Sequence, residues 1–223
     1  MNSVSSKEHA ARFRRYAAEN GFPEACFLSE DNVDSYIGTA VDAYREYPLF
    51  LSLFNGRYNE KSFTRMLSVD LKSRLNHMLG IASSDAYESV MLIEPPMMKQ
   101  IGMLQYVKSA DAGAYLLLLC PAMYRLETYE RFARKKREKW VTESTWYIYI
   151  FATRNRFQRK GFGRRLMQLM ISYVQQHGGR ICLETDLPKN VAMYERFGFQ
   201  TVDQSEYMGK LKHYVMILDG GSR

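Results

Sequence analysis

The stretch QRKGFGRR, Gln158 to Arg165, sets Gly161 and Gly163 among Arg159, Lys160, Arg164 and Arg165. An apolar run precedes it and a helical pattern follows it. Glycine lets an anion approach backbone amides closely. The first amides of a helix have no internal partner and carry the positive end of its dipole. A basic, glycine-rich turn into a helix therefore suits a diphosphate, although an ordinary tight turn uses the same residue types. The spacing is not that of the Walker loop, nor of the dinucleotide fingerprint, whose third glycine position is Leu166 here. Downstream lie two side chains able to exchange protons, Glu184 and Tyr194. Each has a plainer reading: Glu184 as the partner of a helix arginine, Tyr194 as the half-buried anchor of a short helix.

The elements that must position these residues follow from hydrophobic periodicity. STWYIYIFAT (Ser144 to Thr153) predicts a strand, and Gly161 to His177 a helix with Leu166, Leu169, Met170, Tyr173 and Val174 on one side. GGRICLETD is a second strand, KNVAMYERF a short helix ended by Gly198, and FQTVDQSEY and KLKHYVMILD are two strands around a Met208-Gly209 turn. A strand-helix-strand unit implies parallel neighbours with a right-handed crossover, and the last pair an antiparallel hairpin. The fold class is α/β (α+β), a mixed sheet flanked by helices.

Upstream, SSKEHAARFRRYAAEN reads as a helix with Ser5 and Glu8 spaced as a capping box, stopped by Gly21 and Pro23. This gives a helical arm at 1–22 before a domain at 23–223. ACFLSE (Ala25 to Glu30) predicts a short strand. The next helix carries Val33, Ile37, Ala40, Val41 and Tyr44 at helical spacing. A further helix starts at an Asn59 cap and buries Phe63, Met66, Leu67, Leu71 and Leu75. GIAS and YESVMLIEP predict a hairpin. Residues 97–140 read as mostly helical with a break near Pro121, and Met97, Met98, Met103 and Met123 as core filler.

The 223-residue chain has a formal net charge of +7, which attracts polyanions. Its densest basic block, RFARKKREKW (Arg131 to Trp140), reads as a solvated helical face. It lacks the interleaved aromatics of a base-stacking platform, which speaks against nucleic acid. Cys26, Cys120 and Cys182 are far apart, with no zinc spacing, and fit a reduced, cytoplasmic setting. The charged first twenty residues do not read as a signal peptide. The longest apolar run, AYLLLLCPAM, is too short to span a bilayer. The expectation is a soluble protein without a membrane partner.

The motif Q-x-x-G-x-G, Gln158-Arg159-Lys160-Gly161-Phe162-Gly163, resembles the acyl-CoA pyrophosphate loop of the GNAT superfamily of N-acetyltransferases. LETDLPKNVAMYERFGF (Leu183 to Phe199) resembles that superfamily's second signature, ending in Y-E-x-x-G-F. Its L-E-T, P-basic-N, Y-E-R-x-G-F run is most similar to puromycin N-acetyltransferase-like members, as is AYREYPLF (Ala43 to Phe50). The resemblance is clear over 144–217 and loose over 31–110.

It implies a GNAT-type sheet that splays apart between the strands at 146–153 and 180–186, with acetyl-CoA in the gap. The pantetheine arm would pair with backbone of Phe151, Ala152 and Thr153. The pyrophosphate would lie on the amides of Arg159 to Gly163, with Gln158, Lys160, Phe162 and Arg164 completing the loop. Tyr194 would protonate the leaving thiolate. Asn190 would bind pantetheine or seat the helix, or else act as a helix N-cap after Pro188. Glu184 would be the general base, with Glu94 in reserve. Asn155 stands where many members have proline, and Leu187 where many have asparagine. Tyr44, Tyr47, Phe50 and Phe54 would cover the acceptor pocket or pack in the core. The implied activity is acetyl transfer from acetyl-CoA to a small-molecule amine by direct attack. A protein or peptide amine acceptor, and a non-catalytic acyl-CoA-binding protein, are the alternatives. Monomer and homodimer are both open.

Overall fold

The computed structural model describes residues 5–23, 26–98 and 120–221. A six-stranded mixed sheet is built from β1 (Leu79–Ala82), β2 (Ser89–Glu94), β3 (Thr145–Thr153), β4 (Gly179–Thr185), β5 (Gln200–Tyr207) and β6 (Leu211–Gly220), in the order β1-β2-β3-β4-β6-β5. Only β3 and β4 pair in parallel. The helices are α1 (Ser6–Glu19), α2 (Val33–Ala43), α3 (Pro48–Leu53), α4 (Glu60–Arg74), α5 (Pro121–Arg137), α6 (Phe162–His177) and α7 (Pro188–Glu195). Among the described residues no helix is long and apolar enough to cross a membrane.

The helix ends follow local chemistry. Ser5 and Glu8 form the reciprocal capping box of α1, and Asn59 accepts from Ser62 N–H at the start of α4. Proline opens α3, α5 and α7, where the missing N–H has no bond to lose. Among its described residues, 26–30, the ACFLSE segment makes one bridge, Phe27 to Ile81, instead of the expected strand. Asn32 explains this: its side chain donates to Phe27 O and accepts from Ser29 N–H, turning the chain away from the sheet towards α2. Met97 is exposed and not core filler, Met98 and Met123 are partly buried against apolar clusters, and Met103 lies outside the described residues.

Two layers sandwich the sheet. On one face α6 lays Leu166, Met167, Met170 and Val174 against Trp146, Ile148, Ile181 and Leu183. The N-terminal helix α1 extends this layer, placing Phe13 and Ala17 against Trp146 and Tyr173. On the other face α2 and α4 cover Val90, Leu92, Ile150 and Ala152. There α5 covers the far side with Tyr129 and Ala133.

The strand β3 changes face part-way. Leu92 pairs with Ile150 but Ile93 with Ile148, so Tyr149 is an extra residue, a β-bulge. Because side chains alternate, the bulge turns Phe151 and Thr153 towards α6, and Ile150 and Ala152 towards α2.

Candidate functional site: a split between two parallel strands

The parallel strands pair only from Thr145↔Arg180 to Ile148↔Leu183. Beyond that point β3 continues along β2 to Thr153 while β4 continues along β6 to Thr185. The strands therefore part at the bulge. Ser89 Oγ donates to the Ala152 carbonyl at 2.9 Å, and Arg154 N–H reaches Glu88 O at 2.9 Å. Those groups belong to the β2 ladder, and alternation turns the backbone groups of Phe151 and Thr153 into the gap. The expectation of three gap-facing residues is thus corrected to Phe151 and Thr153, with Ala152 spent on β2.

Gly161 caps α6 in the left-handed conformation, φ 90°, without a side-chain hydrogen bond to the first turn. Gly163 sits where a Cβ would lie 2.9 Å from Thr153 Oγ1 and 3.1 Å from Phe151 Cζ. Its missing side chain lets the start of α6 rest on the gap-side wall of β3. Arg159, Lys160 and Arg164 are exposed around this turn and Phe162 is half-buried. Gln158, also exposed, folds back on the loop, donating to Asn155 Oδ1 and Thr153 O, so it braces the turn. Asn155, which stands where many members have proline, anchors the entry turn: its N–H and side chain reach Asp42 Oδ2 and Asp42 O at 2.6 and 2.7 Å. A turn with open amides, a left-handed glycine and a basic rim can hold a diphosphate.

Opposite lies Tyr194 of α7, buried, its ring 6.5 Å from that of Phe151 and 5.8 Å from that of Phe199. Burial, then the nearby Tyr44 phenol, push its pKa well above the ordinary value, so it keeps its proton. Tyr44, at the end of α2, donates to Phe151 O at 3.3 Å from the other face. Asn190 does not cap α7, whose N-cap is Leu187. It donates to Thr185 Oγ1 at 3.1 Å, which also meets Tyr47 OH at 3.2 Å, and Tyr47 OH accepts from Asp186 N–H. Asn190 and Tyr47 thus hold the end of β4.

Residues 123–199 match the sequence profile of the Acetyltransferase (GNAT) family, a span that runs from α5 through β3, α6, β4 and α7 to Phe199. No curated protein matches the chain by sequence. Among solved structures, a histone acetyltransferase HPA2-related acetyltransferase from Corynebacterium glutamicum is 14% identical with a TM-score of 0.58, covering 88% of this chain and 97% of its own. Arylalkylamine N-acetyltransferase 2 from Aedes aegypti is 14% identical with a TM-score of 0.55, covering 87% and 98%. The ribosomal-protein-S18-alanine N-acetyltransferase from Escherichia coli is 13% identical with a TM-score of 0.51, covering 88% and 92%. The fold is that of the GNAT acetyltransferases.

Within this GNAT fold a charged layer lies under α5, on the face opposite α6. Glu184 Oε2 accepts from Arg137 Nη1 at 2.6 Å and from Tyr147 OH at 2.7 Å. Arg137 also stacks over the Tyr147 ring. Burial alone would raise the Glu184 pKa, but Arg137, His213 and Tyr147 outweigh it and hold it below the usual carboxylate value. A carboxylate so paired is a poor proton acceptor, which corrects the expectation of Glu184 as base. Its facing, shared with Cys182 and opposite to Ile181 and Leu183, is as the alternation allowed. Glu94, the reserve candidate, is paired with Arg74 at 2.8 Å. The basic block is likewise not all solvated: Arg131 is exposed, but Arg137 is turned in.

Sequence reasoning did not single out His213, Asp186 or Tyr129. His213 is fully buried, with Nδ1 3.0 Å from Tyr129 OH and 3.4 Å from Asp186 Oδ1, and Nε2 3.6 Å from Glu184 Oε1. Tyr129 OH donates to Asp186 Oδ1 at 2.6 Å. The signal was present but weak: a lone histidine inside an apolar strand needs a polar partner. Burial opposes its charge, yet the two carboxylates beside it raise His213 to about 9. Against an unfolded value of about 6.5, this stabilisation is complete below about pH 6.5 and is lost as pH rises through the folded value, roughly 3 kcal/mol in all. Melting temperature should fall over that window in the wild type, and a His213→Gln variant should lack that slope. An identical slope in both would remove His213 as its source. Cys182 is buried and its thiol pushed up to about 12 by burial, so it is a poor nucleophile.

Proposed function

We propose that the protein is an acetyl-CoA-dependent N-acetyltransferase acting on a small-molecule amine by direct attack, with Tyr194 as general acid. The observation that supports this best is the parting of β3 from β4 beyond Ile148 and Leu183, with the uncapped start of α6 on one side and the protonated Tyr194 phenol at the gap. These residues fit the cofactor. Phe151 and Thr153 turn backbone groups into the gap for the pantetheine arm, with Tyr44 and Gln158 already donating to their carbonyls, and the amides from Arg159 to Gly163 offer a diphosphate seat ringed by Arg159, Lys160 and Arg164. When bound, acetyl-CoA supplies the thioester whose acetyl group is transferred. Tyr194 holds the proton for the departing sulfur. Asn190, through Thr185, steadies the end of β4 beside the gap. A high Cys182 pKa supports direct attack without an acyl-cysteine. A cytoplasmic setting belongs to the same reading.

Calorimetry with acetyl-CoA, followed by thiol release over an amine panel, tests the proposal. The panel includes arylalkylamines, because of the Aedes likeness, aminonucleosides, because of the puromycin-type run, and peptide N-termini. No binding at millimolar acetyl-CoA overturns it. Binding without transfer to any amine favours the non-catalytic alternative.

Tyr44 supplies a sharper check. Its hydroxyl occupies the Phe151 carbonyl that the pantetheine arm would use. Tyr44→Phe frees that carbonyl at the cost of a hydrogen bond of about 1 kcal/mol, so acetyl-CoA should bind about fivefold tighter. Weaker binding would make Tyr44 part of the cofactor site.

A further inference from the structure

This inference rests on the acetyl-transfer reading and concerns the acceptor side. On α5, Glu130, Arg134 and Arg137 follow at helical spacing and share one face. Arg137 fixes that row over the split: it contacts Tyr147 and Glu184, which flank the last parallel pair, Ile148↔Leu183. Tyr129, beside Glu130, is pinned by Asp186 and His213. Glu130 is therefore held, half-buried, in the charged layer where β3 and β4 separate.

The other carboxylates of this layer have cations. Asp70 and Glu94 share Arg74, Glu184 has Arg137, and Asp186 has His213. Among the described residues Glu130 makes neither a hydrogen bond nor an ion pair. Beside it Glu184 Oε1 and His213 Nε2 face each other at 3.6 Å and are otherwise buried without hydrogen-bond partners, so neither is spare to neutralise Glu130. A part-buried carboxylate without a cation is unfavourable unless a proton or a cationic ligand joins it. The groups facing it are Glu184 from β4, Tyr147 from β3, Asp70 and Arg74 from α4, and Arg137 from its own helix. Farther along the layer are Tyr149 of β3, Glu94 of β2, Arg134 of α5 and His213 of β6.

We propose that Glu130 receives the ammonium of the acceptor and removes its proton, so that the acceptor is a primary amine that is cationic in solution. One N–H bond breaks and one O–H bond forms on the carboxylate. The nitrogen lone pair then makes the amide bond as the C–S bond breaks, the Tyr194 hydroxyl gives the sulfur its proton, and the second proton lost by the nitrogen restores the phenol, while Glu130 returns its own proton to solvent. No further reagent is required. Burial and the neighbouring Glu184 charge push Glu130 up to about 7, which suits a base working near neutrality.

Carbon-13 NMR of the full chain labelled at glutamate carboxyls tests this, with Glu130→Gln assigning the signal. Titration near neutrality, and a shift on adding propylamine, are expected. Titration in the ordinary carboxylate range overturns the proposal. With the best amine of the panel, kcat/KM should show an acidic limb near neutrality. Glu130→Gln should abolish that limb and lower the rate about 100-fold, Glu130→Asp should restore part of it, and acetyl-CoA affinity should not change. Glu130→Gln should also melt at or above the wild type, since it removes an unpaired charge. A variant that keeps both limb and rate overturns the proposal. Absence of transfer by the wild type, with Glu130 titrating near neutrality and responding to propylamine, removes the acetyl-transfer reading but keeps the cation site.

Discussion

Tyr194→Phe is expected to lower kcat about 100-fold or more, the usual range for losing a general acid. Acetyl-CoA affinity should stay near wild type, because the phenol is placed at the gap and not at the diphosphate turn. The ring packs against Phe151 and Phe199 and stays buried in the variant, so stability should hold. A thiol-release assay run beside calorimetry separates the two quantities. Equal losses in kcat and affinity would make Tyr194 a wall of the cleft and not an acid. Unchanged kcat would hand the sulfur's proton to solvent.

The second large effect lies across the sheet. Arg137→Met removes the cation that Glu184 and Tyr147 share, leaving a buried carboxylate beside a histidine that other groups already hold. Breaking one side of a buried pair costs about 3–5 kcal/mol. For a chain of this size that is a fall in Tm of roughly 6–20 °C. Adding Glu184→Gln to Arg137→Met should recover much of the loss, because the stranded charge is gone. Thermal melts of the two singles and the double form a cycle. A single Arg137 variant that melts beside the wild type would show that the pair adds nothing to the fold.

The legible parts of the sequence were those governed by local rules. The capping box at Ser5, the Asn59 cap and the period of Leu166 to Val174 marked their helices, whereas the helix starts at Pro48 and Pro121 were not read. The order strand, helix, strand, helix, strand, strand gave the crossover and the closing hairpin. The glycine turn before α6 and the Tyr194 signature stood out by spacing. What stayed hidden depends on long-range pairing. Nothing near Arg137 distinguishes it from exposed Arg131 until α5 is laid on the sheet. His213 and Asp186 lie 27 residues apart and meet only through β4 and β6. Glu184 was read as base or as arginine partner, and the choice rested on a helix whose docking the sequence does not state. The bulge at Tyr149 has no sequence mark either, since TWYIYIFAT alternates without a glycine.

That bulge has a consequence for the cleft. With strict alternation from Trp146, the positions of Ile150 and Ala152 would face α6, and those of Phe151 and Thr153 would point to α2. The first turn of α6 would then rest on aliphatic groups instead of the hydroxyl and aromatic edge that Gly163 now accommodates. One surplus residue thus acts as a half-step in a staircase, letting a single strand present a sealed hydrocarbon wall at its foot and a wall turned to the glycine start of α6 at its head.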